Sequence, residues 1–254
     1  MFYWLLKFVL LGPWLRLLFR PQVEGADNVP AKGAAIIASN HLSFSDSIFM
    51  PLMVPRRVTF LAKQEYFTGH GLKGLLSRMF FTGVGQVPID RSSGSAAKAA
   101  LDTGKRILAE GKLLGIYPEG TRSPDGQLYR GKTGVARTAI ETGARVVPVA
   151  MVYRPRRLPF GLGRRLMAVE VRFGRPLDFG RYEGLSGDRF VERSITDEVM
   201  YEIMTLSGQE YVDVYGAQVK KSMDESGASA SEVVGELQPP LEEAADRRAE
   251  TLAG

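Results

Sequence analysis

Cysteine is missing from this chain altogether, and histidine occurs only twice, as His41 and His70. The first absence excludes disulfides, thiolate-bound metals and an acyl-cysteine intermediate. So small a histidine set, without His-x-x-x-His spacing, supplies no recognisable ligands for a catalytic metal, and none is expected. No internal repeat and no named nucleic-acid motif is present, and the basic residues have few aromatics among them, so nucleic acid is not an expected partner. The composition that remains, 44% apolar over 254 residues, is enough to bury one full core.

Acidic charge is scarce in the body of the chain and concentrated at its end. From Ser222 onward eight carboxylates face only Arg247 and Arg248, a net of −6; the overall +5 therefore leaves +11 on residues 1–221. Such a body is drawn to anionic surfaces and phosphorylated ligands. The segment 211–254 reads as a C-terminal extension, acidic and disordered from about 222. At the other end, residues 1–25 carry the most apolar stretch, Phe2 to Arg20. A spanning helix needs about 20 apolar residues, yet Lys7 and Arg16 interrupt this one and Gly12-Pro13 should kink it. No small-residue cleavage site precedes Pro21, against a signal peptide. The reading that fits is a bent interfacial anchor whose Lys7, Arg16 and Arg20 snorkel to lipid phosphates. A second segment, Arg154 to Arg165, mixes five arginines with Leu158, Phe160 and Leu162 and reads as a loop, either touching headgroups or simply a solvated charged face.

Between these ends, over 26–210, short apolar runs at 34–38, 58–62, 86–89, 113–117, 146–152 and 167–173 predict buried strands. Residues 95–110 and 135–141 have helical spacing and stop at Gly111 and Gly143; 185–206 predicts a further amphipathic helix. Alternation of this kind implies an α/β fold, a mainly parallel sheet flanked by helices. Ligands of such sheets gather at the carboxyl ends of the strands.

One such end carries Asn40-His-Leu-Ser-Phe-Ser-Asp46. Five residues of regular helix rotate a side chain by about 500°, leaving His41 and Asp46 roughly 140° apart. They can meet only if His41 lies in the turn leaving a strand and Asp46 in the first turn of the next helix. A neutral histidine so held is a general base, its tautomer fixed by the carboxylate. The alternative is structural: Ser43 three positions before Asp46 also matches an N-cap signal. His70, with no acidic residue nearby in sequence, reads as a loop residue, and Ser43 and Ser45 lack a nucleophile elbow.

A second strand end carries Tyr117-Pro-Glu-Gly-Thr-Arg-Ser123, where Pro118 and Gly120 favour a sharp turn and Arg122 offers a planar fork for phosphate. Together with the first segment this resembles the signature of the 1-acylglycerol-3-phosphate acyltransferase family: Asn-His-x-Ser-x-x-Asp, then an aromatic residue followed by Pro-Glu-Gly-Thr-Arg-Ser. Gly85 to Arg91 resembles the family's second motif and Val146 to Ala150 its proline-containing fourth, while Lys63 and Lys132 fall where the family commonly carries lysines. The resemblance spans about 34–152.

The resemblance implies transfer of a fatty acyl group from a thioester, acyl-CoA or an acyl carrier protein, to the free hydroxyl of lysophosphatidic acid, giving phosphatidic acid, with no other cofactor. His41 would be the base and Asp46 its orienting partner, with Arg91, Arg122, Lys63 and Lys132 on the acceptor's phosphate. Gly120 and Thr121 would give close contacts, and Glu119 would either touch the acceptor or shape the loop. The expected place is the cytoplasmic face of the cell membrane, with membrane lipids as partners. Glycerol 3-phosphate or another lysophospholipid as acceptor, lipid-to-lipid transacylation, and a lipid-binding module without turnover are the competing expectations.

Overall fold

The computed structural model describes residues 2–89, 96–157 and 165–238, leaving aside the side chains at 63, 156, 157, 165 and 166. The chain opens with helix α1 (Phe2–Leu5), a π-helical stretch (Leu6–Leu10) and α2 (Gly12–Phe19). Then follow β1 (Gln22–Glu24), β2 (Ala35–Ser39), α3 (Asp46–Met53), β3 (Val58–Lys63), α4 (Glu65–Thr68), α5 (Gly71–Gly83) and β4 (Gln86–Ile89). The second half comprises α6 (Ala96–Ala109), β5 (Leu113–Ile116), β6 (Leu128–Tyr129), α7 (Gly134–Thr142), β7 (Arg145–Arg157), β8 (Arg165–Phe173), α8 (Arg189–Ser207), β9 (Tyr211–Val212), α9 (Gly216–Ser226) and α10 (Ala230–Leu237).

Seven strands form one sheet in the order β1-β8-β7-β2-β5-β3-β4, and every neighbouring pair is parallel except β7 with β8. The predicted mainly parallel α/β architecture is the observed one. Strand β2 is buried along its whole length, as expected for a central parallel strand covered on both faces. Its side chains alternate: Ile36 and Ala38 join Leu114, Val135, Ile195 and Ile203 under α6, α7 and α8, while Ala35 and Ile37 join Phe49, Met50, Val147 and Val171 under α3. That period of two places the carboxyl ends of β2 and β5, in register from Ala35 opposite Leu113 to Ala38 opposite Ile116, side by side.

The predicted helices appear with shifts of a residue or a few at their ends. Asp188 caps α8 by accepting from the amides of Phe190 and Val191. Helix α5 was not anticipated: Gly71 and Gly74 interrupt its sequence, and Leu72, Leu75 and Leu76 face outward rather than making a conventional buried stripe. Gly74 is required where α5 crosses Gly69, since a Cβ there would stand 1.9 Å from the Gly69 carbonyl oxygen.

Three expectations need correction. The arginine segment is no simple loop: Arg154–Arg157 extend β7 in an antiparallel ribbon with β8, and Arg154 pairs with Glu170 at 3.6 Å. Residues 158–164, with Leu158, Phe160 and Leu162, lie outside the described residues. Lys7 does not reach out toward lipid. It is 7% exposed and its Nζ donates to the carbonyls of Pro51, at 2.6 Å, and Val54, while Arg16 donates to that of Leu52 at 3.1 Å. The carbonyls ending a helix carry partial negative charge and lack intrahelical partners, so these cations satisfy the end of α3. Nor is the chain disordered from 222 to 238: α9 and α10 pack Val219, Ala230 and Val233 on Tyr129, Val212 and Val214, and Ser229 with Glu232 forms a capping box. Strand pairing also joins the flanks to the central region: β1 pairs with β8 and β9 with β6.

Candidate active site

The segment after β2 is fixed first by Asn40, which is fully buried and holds the Met151 amide and carbonyl of β7 with its side-chain oxygen and nitrogen at 2.7 and 3.0 Å. The chain then turns so that Asp46, in the first turn of α3, reaches back. Its Oδ2 accepts from His41 Nδ1 at 2.9 Å and from the amides of Leu42 and Ser43 at 2.7 and 2.8 Å. Its Oδ1 accepts from the Tyr153 hydroxyl. With Asp46 accepting throughout, Nδ1 of His41 carries the proton and Nε2 presents its lone pair. The His41 side chain is 17% exposed and Asp46 fully buried. Thus the strand-turn-helix arrangement expected for this pair is present, and the same turn carries cap-like bonds: Asp46 accepts from the Ser43 amide and the Ser43 hydroxyl from the Ser45 amide at 3.3 Å, while Ser45, at the N-cap of α3, makes no side-chain cap.

The segment after β5 forms the other wall. Tyr117 stacks on the His41 ring, centroids 3.9 Å apart and planes 10° from parallel, and is itself stacked on Phe60. Its hydroxyl pairs with Ser47, and burial drives it well above the usual phenol range. Glu119 is buried; its two oxygens accept from the amides of His41 and Tyr129 at 2.9 and 3.0 Å. Burial pushes its carboxyl up to about 7 against the pull of those two amides. These two bonds tie the turn to the His41 segment and to β6, the loop-shaping use of the two expected. Gly120 turns with φ of +72°, and the Lys132 stem lies across it, 3.1 Å from where a Cβ would be. The Ser123 amide donates to the His41 carbonyl at 2.7 Å, so the turn carrying Thr121 and Arg122 is tied directly to the histidine.

His41, Asp46, Glu119, Gly120, Thr121, Arg122 and Lys132 are therefore brought together through the two strand ends and their connections. Lys63 ends β3, its side chain beyond the described residues, and Arg91 lies outside them entirely. His70 precedes α5 in an exposed position, as expected of a loop residue. Among the described residues no group of three or more acidic or histidine side chains could hold a metal. Behind the His41 turn opens a cleft of about 690 Å³, lined by Leu42, Ser45 and Ser123 and by apolar Phe19, Phe49 and Met167. Tyr153 and Lys220, the latter 3.2 Å from the Thr121 hydroxyl, were not anticipated. Each approaches from a distant part of the chain, and no local pattern marks either.

A parallel α/β sheet bearing a buried carboxylate, an oriented histidine and a cation-lined turn at its carboxyl edge has the groups that general base catalysis of transfer or hydrolysis requires. A sequence model of the acyltransferase family matches residues 20–152, and the chain belongs to that family. It is 31% identical over 144 residues to the chloroplastic 1-acyl-sn-glycerol-3-phosphate acyltransferase LPAT1 of Arabidopsis thaliana, covering 56% of this chain and 39% of that protein. To the human 1-acyl-sn-glycerol-3-phosphate acyltransferase alpha it is 29% identical over 133 residues, covering 52% and 45%. These matches span less than half of each relative's length. A structural comparison with the Thermotoga maritima 1-acyl-sn-glycerophosphate (LPA) acyltransferase PlsC gives a TM-score of 0.47 and 25% identity over 71% of both chains.

Proposed function

We propose that the protein transfers a fatty acyl group from a thioester, acyl-CoA or acyl carrier protein, to the hydroxyl of 1-acylglycerol 3-phosphate at a membrane surface, forming phosphatidic acid. The observation that carries this reading is the His41–Asp46 pair, in which Nδ1 faces the carboxylate, on a segment whose His41 carbonyl is tied by the Ser123 amide to the turn that carries Arg122. The base takes the acceptor hydroxyl's proton as that oxygen attacks the thioester carbonyl. A C–O bond forms, the C–S bond breaks, and the proton passes from Nε2 to the departing sulfur. Arg122 and Lys132 hold the acceptor's phosphate, and the cleft beneath Leu42 and Phe49 accommodates an acyl chain. The names of the relatives above support this choice of acceptor.

Membrane association is part of the proposal. Residues Phe2–Phe19 form one helical stretch long and apolar enough to cross a membrane, with 17% of it buried, and Trp14 and Leu17 are each 63% exposed. The apolar surface continues onto α5, where Phe2 and Leu6 abut Gly83 and Leu72, Leu75, Leu76 and Met79 are exposed.

Purified protein in detergent micelles, given labelled acyl-CoA and a panel of lysolipids, tests the reading. Native protein should acylate lysophosphatidic acid, and His41→Ala should lower kcat by about 10² to 10⁴ with KM little changed. Transfer that survives His41→Ala undiminished removes the proposed base. No transfer by native protein with any donor and acceptor favours a lipid-binding module.

A further inference from the structure

We propose that Lys220 of α9 is a binding residue for the acceptor's phosphomonoester, placed against the Thr121–Arg122 turn from outside the matched acyltransferase region. The inference rests on the acceptor reading above. It adds to that reading a residue far from any motif in sequence, delivered by the C-terminal extension.

Three observations converge on it. The first is position: Nζ of Lys220 lies 3.2 Å from the Thr121 hydroxyl. Gly216, which opens α9, sits so close to the site that a Cβ there would meet both Tyr129 and Thr121 within 3.4 Å. The second is rigidity. Val219, the neighbouring residue, is wholly buried among Tyr129, Val212, Val214 and Val233, and the Tyr129 amide is held by Glu119. Helix α9 is thus anchored to the same strand that fixes the motif loop, so the ammonium is aimed rather than waving on a solvated helix.

The third is unbalanced charge. Lys220 forms no ion pair among the described residues, and neither do Arg122 and Lys132, although paired cations are frequent elsewhere in the molecule. Burial and the Arg122 guanidinium together hold the Lys220 ammonium below its ordinary range. Two carboxylates act on it from a distance without pairing: Asp224, four residues on in α9, and Glu119, whose oxygens are each engaged by a backbone amide. Cations without an ion-pair partner around a glycine turn suit a doubly charged anion, and a phosphate monoester supplies both the charge and the acceptor oxygens. Lys, a point charge on a flexible stem, suits one oxygen of such a group, while the Arg122 fork suits two.

The test compares native protein, Lys220→Gln and Lys220→Arg in the acyl-CoA assay, varying donor and acceptor separately. A charge-assisted hydrogen bond to phosphate contributes roughly tenfold or more in affinity. Lys220→Gln should therefore raise KM for lysophosphatidic acid by about tenfold while leaving kcat and the KM for acyl-CoA within about twofold, and Lys220→Arg should recover most of the loss. With monoacylglycerol, which lacks the phosphate, native protein and Lys220→Gln should not differ. An unchanged KM for lysophosphatidic acid, equal losses in the Gln and Arg variants, or a rise confined to acyl-CoA would each overturn the assignment. Should native protein acylate no phosphorylated lysolipid, the acceptor reading falls separately. The Lys220 site is then judged by glycerol 3-phosphate alone: protection from thermal unfolding in native protein but not in Lys220→Gln sustains it, and equal protection in both ends it.

Discussion

Glu119 and Asp46 are both buried carboxylates at one site, yet their surroundings differ. Asp46 accepts four hydrogen bonds, one from the histidine it orients. Glu119 accepts two, and burial raises its carboxyl to about 7. A carboxyl whose folded value lies above its unfolded one stabilises the fold fully below the unfolded value and loses that contribution as pH rises through the folded one. The window here runs from about 4.5 to about 7. At about 1.4 kcal/mol per unit, the contribution lost is on the order of 3 kcal/mol. Urea unfolding at about pH 4 and pH 8 should show native protein losing this much relative to Glu119→Gln, whose amide does not titrate; parallel pH dependence in the two would refute the assignment. At this scale the sequence was informative where partners are close. His41 and Asp46 stand five residues apart, and their geometry followed from helix rotation. Tyr153 donates to Asp46 from 107 residues away, a distance at which one sequence carries no pairing signal.

Strand β5 shows how an element transmits a packing constraint to the chemistry. Gly115 lies at its centre with the Phe60 ring in the space a side chain would take: an added Cβ would come within 2.3 Å of Phe60 Cε1. Phe60 stacks on Tyr117 and Tyr117 on His41. Gly115→Ala must move Phe60, and overpacking a filled core costs about 1–3 kcal/mol. The expected result is that loss in urea unfolding together with a fall in kcat, while KM for acyl-CoA holds; a stable variant with native kcat would break the chain of contacts. The central strands were legible because runs such as Ala35–Ala38 are continuously apolar and bounded by turn residues. The β7–β8 ribbon was not, because Arg154 to Arg157 carry the composition of a loop, and their strand conformation comes from pairing across the hairpin.

For the molecule as a whole, charge and apolar surface bear on one question, contact with a bilayer. Residues 1–221 carry +11 while Trp14, Leu17 and Leu18 lie exposed on α2. Replacing these three with serine should reduce sedimentation with vesicles containing anionic lipid by at least about tenfold, since each buried apolar side chain contributes roughly 1.5–3 kcal/mol. Activity in detergent micelles should persist, and unchanged sedimentation would reject this face as the contact. The positive body and apolar terminus were plain from composition. The role of the C-terminal extension was not, because its polar residues and glycines mask the few valines that fasten α9 and α10 to Tyr129.

The clasp of Lys7 and Arg16 on the far end of α3 has a practical corollary for anyone shortening this gene. Starting expression at residue 26 to gain solubility would strip two proton donors from the helix that bears Asp46 and bare the edge of β8 where β1 had paired. A soluble form is better sought by recoding the outward-facing apolar positions, with the rest of residues 1–25 left in place.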